Sequence, residues 1–151
     1  MTIRLLQAMA GAEHGGAEAF FERLALALQK AGAVEQKVVI RANARRAAHL
    51  RAGGVDVAEL PFGGALDLRT RLGFRWAVRR FQPQVVLTWM NRATRFCPRG
   101  PFVHVGRLGG YYDLKYYRRC GHLIGNTPDI RDWILGQGDR KSTRLNSSHR
   151  T

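Results

Sequence analysis

"AMAGAEHGGAEAFFERL", residues 8–24, joins an apolar run to a helix-like pattern through Gly11, Gly15 and Gly16. Upstream, "IRLLQAM" (3–9) has the length of a strand. Downstream, Phe20, Leu24, Leu28 and Ala31 recur at helical spacing, with Glu22, Arg23 and Lys30 on other faces. A glycine-rich entry into a helix lets backbone N–H groups and the helix dipole approach an anion. It serves equally well as a plain turn. No Gly-Lys-Ser/Thr follows, so the P-loop pattern fails, and the glycine spacing does not fit G-x-G-x-x-G. What remains is a turn with room for an anion. Glu18, in the first helical turn, suits the dipole but repels a phosphate on the helix axis. It is better suited to orienting the loop or to accepting from a ligand hydroxyl.

The same alternation continues along the chain. "QKVVIR" (36–41) reads as a second strand, followed by a basic helix "ARRAAHLRAGG" (44–54) closed by its glycines. "VDVAELPF" (55–62) is a third strand, and Leu68, Leu72 and Trp76 mark the next helix, with Arg69, Arg71, Arg75, Arg79 and Arg80 facing water. "QVVLTWM" (84–90), "PFVHVGRL" (101–108) and "GHLIG" (121–125) are three more strands. A last helix opens on "TPDIRDWIL" (127–135), with Thr127 as N-cap and Pro128 in the first helical position. Gly32 suits the C-terminal cap of the first helix. Strands alternating with helices predict an α/β fold: a Rossmann-like open parallel sheet with helices on both faces. Ligands of such sheets bind at the carboxyl ends of the strands, near the switch point in strand order. The loops 11–16, 89–92 and 107–110 are therefore expected to share one crevice.

The chain has 151 residues, enough for one domain, and a net charge of +14. Such basicity favours polyanions: nucleic acid, anionic lipid or phosphorylated small molecules. Cys97 and Cys120 stand far apart, with no CxxC and no neighbouring histidine pair, which argues against a zinc site and a disulfide framework. No metal is expected, since no Asp-x-Asp-like cluster occurs. The first residues lack the apolar core of a signal peptide, which predicts a cytoplasmic protein.

The apolar pattern stops after Leu135, and "DRKSTRLNSSH" (139–149) resembles one reading frame of a sequencing adapter. Residues 1–138 are therefore expected to form the domain, and 139–151 a disordered, non-native tail. That tail carries four basic residues against one acidic, so the domain keeps a charge of +11.

"GGAEAFFERLALAL" after a strand resembles the GGAE loop of retaining nucleotide-sugar glycosyltransferases of family four, which have the two-domain GT-B architecture. "QPQVVLTWMNRATR" and "GHLIGNTPDIRDWIL" resemble segments of their amino-terminal domain, in the same order. The likeness spans residues 2–138 and implies the acceptor-side half of a GT-B enzyme, truncated ahead of the donor domain. It implies that Gly15 and Gly16 lie against the diphosphate of a nucleotide-sugar donor, with no further cofactor. The acceptor would be a glycan or lipid-linked, as in lipopolysaccharide synthesis. The basic surface adds a peripheral contact with the inner face of the plasma membrane, and no specific nucleic acid. The competing expectation is a non-catalytic basic module binding nucleic acid or anionic lipid.

Within that frame Arg107, at a strand end, is placed to pair with phosphate or carboxylate. Asn91 and Arg92, after the fourth strand, are candidate contacts to the acceptor or a phosphate, and Asp113 to a sugar hydroxyl. Many relatives place a histidine at the end of the fifth strand. His104 lies inside that strand and is expected to have a sheet role. No carboxylate pair shows an acid/base arrangement, so no catalytic residue is assigned.

Overall fold

The computed structural model describes residues 2–137 and the strand 144–147. Seven parallel strands form one sheet: β1 (Ile3–Met9), β2 (Val34–Arg41), β3 (Asp56–Leu60), β4 (Val85–Trp89), β5 (Val103–Leu108), β6 (His122–Gly125) and β7 (Arg144–Ser147). Their spatial order is β3-β2-β1-β4-β5-β6-β7. The helices are α1 (Gly16–Ala31), α2 (Ala44–Ala52), α3 (Leu68–Phe81), α4 (Met90–Phe96) and α5 (Pro128–Gly136), with a 3-10 turn at Leu114–Tyr117. This is the Rossmann-like sheet that the alternation predicts. The order reverses between β1 and β4, which makes their carboxyl ends the switch point.

The period-two alternation of the central strands divides the core between the two faces. Leu6, Ala8, Val39 and Val86 pack against Phe74, Ala77 and Val78 of α3 and Ala93 and Phe96 of α4. Met9, Val38, Ile40 and Trp89 turn the other way, onto Phe21 and Ala25 of α1 and Ala47 and Leu50 of α2. Phe21 and Phe74 are fully buried, and each contributes about 2 kcal/mol by leaving water. Leu108, Leu123, Ile130 and Ile134 form a third cluster where α5 covers β5 and β6.

Three helices carry side-chain caps. Asn43 accepts from Arg46 N, Asp67 from Thr70 N, and Thr127 from Ile130 N, with Pro128 in the first turn of α5. Gly32 ends α1 in the left-handed conformation, at φ 64°. Both cysteines are free and buried, and burial pushes each thiol up to about 12.

One feature departs from what the sequence predicts. Residues 91 and 92 lie on the short helix α4 rather than in a loop. Seven residues are too few for a helical period to show. Within the segment expected as a tail, residues 144–147 pair as β7 beside β6, with Leu123 in register with Leu145. An edge strand presents unpaired N–H and C=O groups to any extended segment within reach. The rest of that tail lies outside the described residues.

Candidate functional site

The turn after β1 is built around Glu18. Its carboxylate folds back beneath residues 11–15 and accepts a hydrogen bond from Ala12 N at 3.0 Å. The glycines make room for it: a Cβ on Gly11 would lie 2.6 Å from Glu18 Cγ, and one on Gly15 would meet the carboxylate itself. Glu18 therefore shapes the loop, one of the two roles its position suggests. Gly16 differs, because a Cβ there would meet nothing within 4 Å. Nor does any side chain cap α1: Gly15 holds the N-cap position without a side-chain hydrogen bond. Gly15 and Gly16 are exposed, so the start of α1 faces solvent without a side-chain cap.

A buried arginine holds this loop from behind. Arg46, 2% exposed, donates through Nη2 to the carbonyls of Ala12 (3.0 Å) and Glu13 (3.1 Å). Its Nε reaches Glu22 at 3.5 Å, and Arg45 and His49 pair with the same carboxylate. Burial works to raise the Glu22 pKa, but hydrogen bonds from His49 and Arg45 and the charges of Arg45 and Arg46 outweigh it and hold it below the ordinary glutamate value. In the sequence, "ARRAAHLRA" shows only as a basic helix. The loop carbonyls that Arg46 binds lie more than thirty positions away, and no local pattern marks them.

The opposite wall comes from β4 and β5. Trp89 is fully buried, and its Nε1 donates to Gln7 Oε1 at 3.0 Å. Gln7 Nε2 donates to Gln36 Oε1 (2.8 Å), and Gln36 Nε2 to Ala25 O (2.9 Å). This relay of polar groups fixes the indole. Arg107, at the carboxyl end of β5, lies over it, with the guanidinium carbon 4.2 Å from the Trp89 ring centroid and 5.1 Å from that of Phe20. Arg107 Nη2 donates to Asn126 Oδ1, while its buried Nη1 has no protein partner. Burial lowers the pKa of Arg107, yet an arginine stays charged. The result is a confined cation with one unanswered donor.

Tyr112 is half-buried and feels the charges of both Glu18 and Arg107. Burial raises its pKa, the charge of Glu18 adds to that, and Arg107 opposes it. Gly15, Gly16, Glu18 and Arg107 are therefore gathered at one end of the sheet.

The remaining candidates have other partners. Arg92 Nη1 donates to Phe62 O at 3.0 Å, tying α4 to the turn after β3. Asn91 leaves a buried Oδ1 without a partner. Asp113 accepts from Lys115 N (2.9 Å) and caps the 3-10 turn. His104, in mid-strand, bonds Thr88 Oγ1 through Nε2 at 2.8 Å, and burial holds it down to about 4. Thr88 contacts Thr94, which donates to Met90 O at 2.7 Å. Met90 sits at φ 67° in the first position of α4. A methionine in the left-handed region is strained, and the hydroxyl bond to its carbonyl helps hold it there. Among the described residues no cluster of three metal-ligating side chains occurs.

The chain has sequence relatives, and its fold has counterparts, among known proteins. No family model matches the chain. Over 120 residues it is 36% identical to the lipopolysaccharide core biosynthesis glycosyltransferase LpsD of Rhizobium meliloti, covering 77% of this chain and 34% of LpsD. Over 148 residues it is 32% identical to LpsE of the same organism, covering 89% of this chain and 40% of LpsE. Both relatives are glycosyltransferases. The chain spans less than half the length of either. Among solved structures, Anabaena HepE in complex with UDP-glucose superposes at TM-score 0.67 with 13% identity, over 95% of this chain and 43% of that one. A UDP-N-acetylglucosamine 2-epimerase superposes at 0.65 with 11% identity, over 96% of this chain and 48% of that one. The fold is shared by both kinds of enzyme, so the sequence likeness, not the fold, separates them.

Proposed function

We propose that the chain is the acceptor-side half of a retaining glycosyltransferase of the GT-B architecture. In the whole enzyme a sugar passes from a nucleotide diphosphate to a glycan or lipid-linked acceptor of the lipopolysaccharide core. The reaction takes place in the cytoplasm, at the inner face of the plasma membrane. The observation that carries this reading is the 36% identity to LpsD. The crevice agrees with it. The donor diphosphate lies against the open turn at Gly15 and Gly16, where uncapped N–H groups of α1 meet it. Arg107, buried with its charge intact, sets a positive potential at the same end of the sheet, and Tyr112 and Glu18 border the same space. The competing picture of a non-catalytic polyanion-binding module has less to stand on, because Arg46 and Arg107 are buried and serve the fold and the crevice.

The test is sugar transfer measured on the protein at the full length of its relatives, with UDP- and GDP-sugars as donors and a deacylated lipopolysaccharide core as acceptor. Transfer with retention of anomeric configuration is the expected result. Absence of transfer from every nucleotide sugar overturns the assignment.

A further inference from the structure

The sheet has a hollow of about 660 Å³ at the end opposite the crevice, where β1, β4 and β5 begin. Four arginines reach it from three parts of the chain: Arg4 from β1, Arg75 and Arg79 from α3, and Arg99 from the turn between α4 and β5. None of the residues lining it is acidic. Among the described residues Arg75, Arg79 and Arg99 have neither an ion pair nor a side-chain hydrogen bond. The side chain of Arg4 gives only its Nε, to Gln82 O at 2.8 Å. Like charges gathered without a counter-ion repel one another. The backbone beneath them is nonetheless held. Gln84 Oε1 accepts from Arg4 N (2.9 Å), Gln84 N donates to Arg4 O (2.9 Å), and Gln84 O accepts from Val103 N (3.0 Å). Arg99 stands between Pro98 and Pro101, whose rings fix the turn. Gly100 lies so close to Phe102 that a Cβ on it would come 2.5 Å from the ring. Val78, Pro83, the two turn prolines and Phe102 give the hollow an apolar wall.

We propose that this hollow binds a soluble small molecule carrying two or more phosphates on a planar or apolar body, the chemistry of a nucleoside diphosphate. The phosphates lie against the arginines, whose guanidinium groups meet phosphate through paired hydrogen bonds. The body lies against Phe102 and the prolines. A hollow of this volume falls in the range of small-molecule sites. Because Arg4 and Arg99 stand on a fixed backbone, little order has to be created on binding. Nucleic acid would engage the arginines through its phosphates and leave the apolar wall unused. The chain spans less than half the length of LpsD or LpsE, so the remaining length has to find a place. In the enzyme proposed above it closes on the crevice, where the strands end, whereas the hollow opens where they begin. The inference rests on the glycosyltransferase reading only for that placement. Nucleotide binding here needs no sugar transfer, so either can fail alone.

The experiment is titration calorimetry with ADP and with inorganic pyrophosphate, on the 151-residue chain and on the protein at the full length of its relatives. Both forms are expected to bind ADP at least about fivefold tighter than pyrophosphate, since only the nucleoside reaches the apolar wall. Arg75→Gln with Arg79→Gln weakens ADP binding by about a hundredfold, and Arg99→Gln by about tenfold. Arg75 and Arg79 are exposed and glutamine suits a helix, so melting without ligand should not change. Should the double variant melt early, Arg99→Gln alone decides the matter. ADP binding that survives the arginine substitutions lies elsewhere and overturns the proposal. Equal affinity for ADP and pyrophosphate overturns it too, leaving a field of charge without a site. So does binding to mixed-sequence DNA without binding to ADP. ADP bound by the 151-residue chain and refused by the full-length protein would show that the remaining length covers the hollow, and would also overturn it.

Discussion

The guanidinium of Arg107 rests 4.2 Å above the ring centroid of Trp89, at the switch point of the sheet. A desolvated cation–aromatic contact of this kind contributes about 2 kcal/mol. It also settles where the cation points. Trp89 is held by Gln7 from beneath, so Arg107 is a fixed group rather than a surface arginine.

Replacing Trp89 by Phe keeps an aromatic ring but leaves Gln7 Oε1 buried without a donor. A loss of about 1–3 kcal/mol is expected, to be read from the urea midpoint. Sugar transfer should fall as well, since Arg107 loses part of its support. An unchanged midpoint would show that the relay does not hold the indole.

Gly16→Ala separates folding from ligand binding. The site has space for a methyl group, and alanine in a helix is favoured over glycine by roughly 0.5–1 kcal/mol. The variant should melt higher and bind a nucleotide sugar more weakly, as measured by calorimetry of the full-length enzyme. Undiminished donor affinity would remove Gly16 from the diphosphate site.

Arg46→Met keeps the stem of the side chain and removes the charge. Two loop carbonyls and part of Glu22 then lose their donor. A cost of about 3 kcal/mol is expected, as for a broken buried pair. Hydrogen exchange should quicken in residues 11–16 before it does in β2 or β4; uniform loosening would contradict this.

Stability should also fall on mild acidification. Burial, with the charge of Arg119 behind it, holds His104 down to about 4, against 6.5 when the chain is open. Between those values the unfolded chain takes up a proton that the folded one refuses. Stability is therefore complete above about pH 6.5 and declines by about 3 kcal/mol as the pH approaches 4. Asp67, held down to about 2 by Thr70 and Gly63, acts only below about pH 3.8. Melting temperatures between pH 7 and pH 4 test this: the slope should flatten in His104→Gln, and a profile the variant leaves unaltered would point to another group.

The strands and helices are legible because the core writes its periods into the sequence, as in the alternation of Leu6 and Ala8; the inward face of α1 is not, since Phe20 and Ala31 of the expected apolar set are exposed while Phe21, Glu22 and Ala25 are buried. Local rules also found Gly32 and Thr127, whose roles depend on neighbours within three residues. The grouping of Gly15, Gly16, Glu18 and Arg107 followed from the rule for the ends of parallel strands. What stayed hidden rests on partners remote in the chain. Arg46 lies in what the sequence shows only as a basic helix, and Gln7 and Gln36 meet across two strands that are 29 positions apart. Asn91 and Arg92 were placed in a loop because α4 is short and begins on a strained methionine.

The two glutamines beneath Trp89 have a polarity of their own. Each uses its carbonyl toward the indole side and its amino group toward Ala25. Turning either amide by half a revolution would set amino against amino and oxygen against oxygen. The four groups can therefore be read in one sense only, from the indole to the backbone of α1. The middle of the sheet is wired like a row of diodes, and the side-chain amides of Gln7 and Gln36 should be the last in the molecule to trade their protons with water.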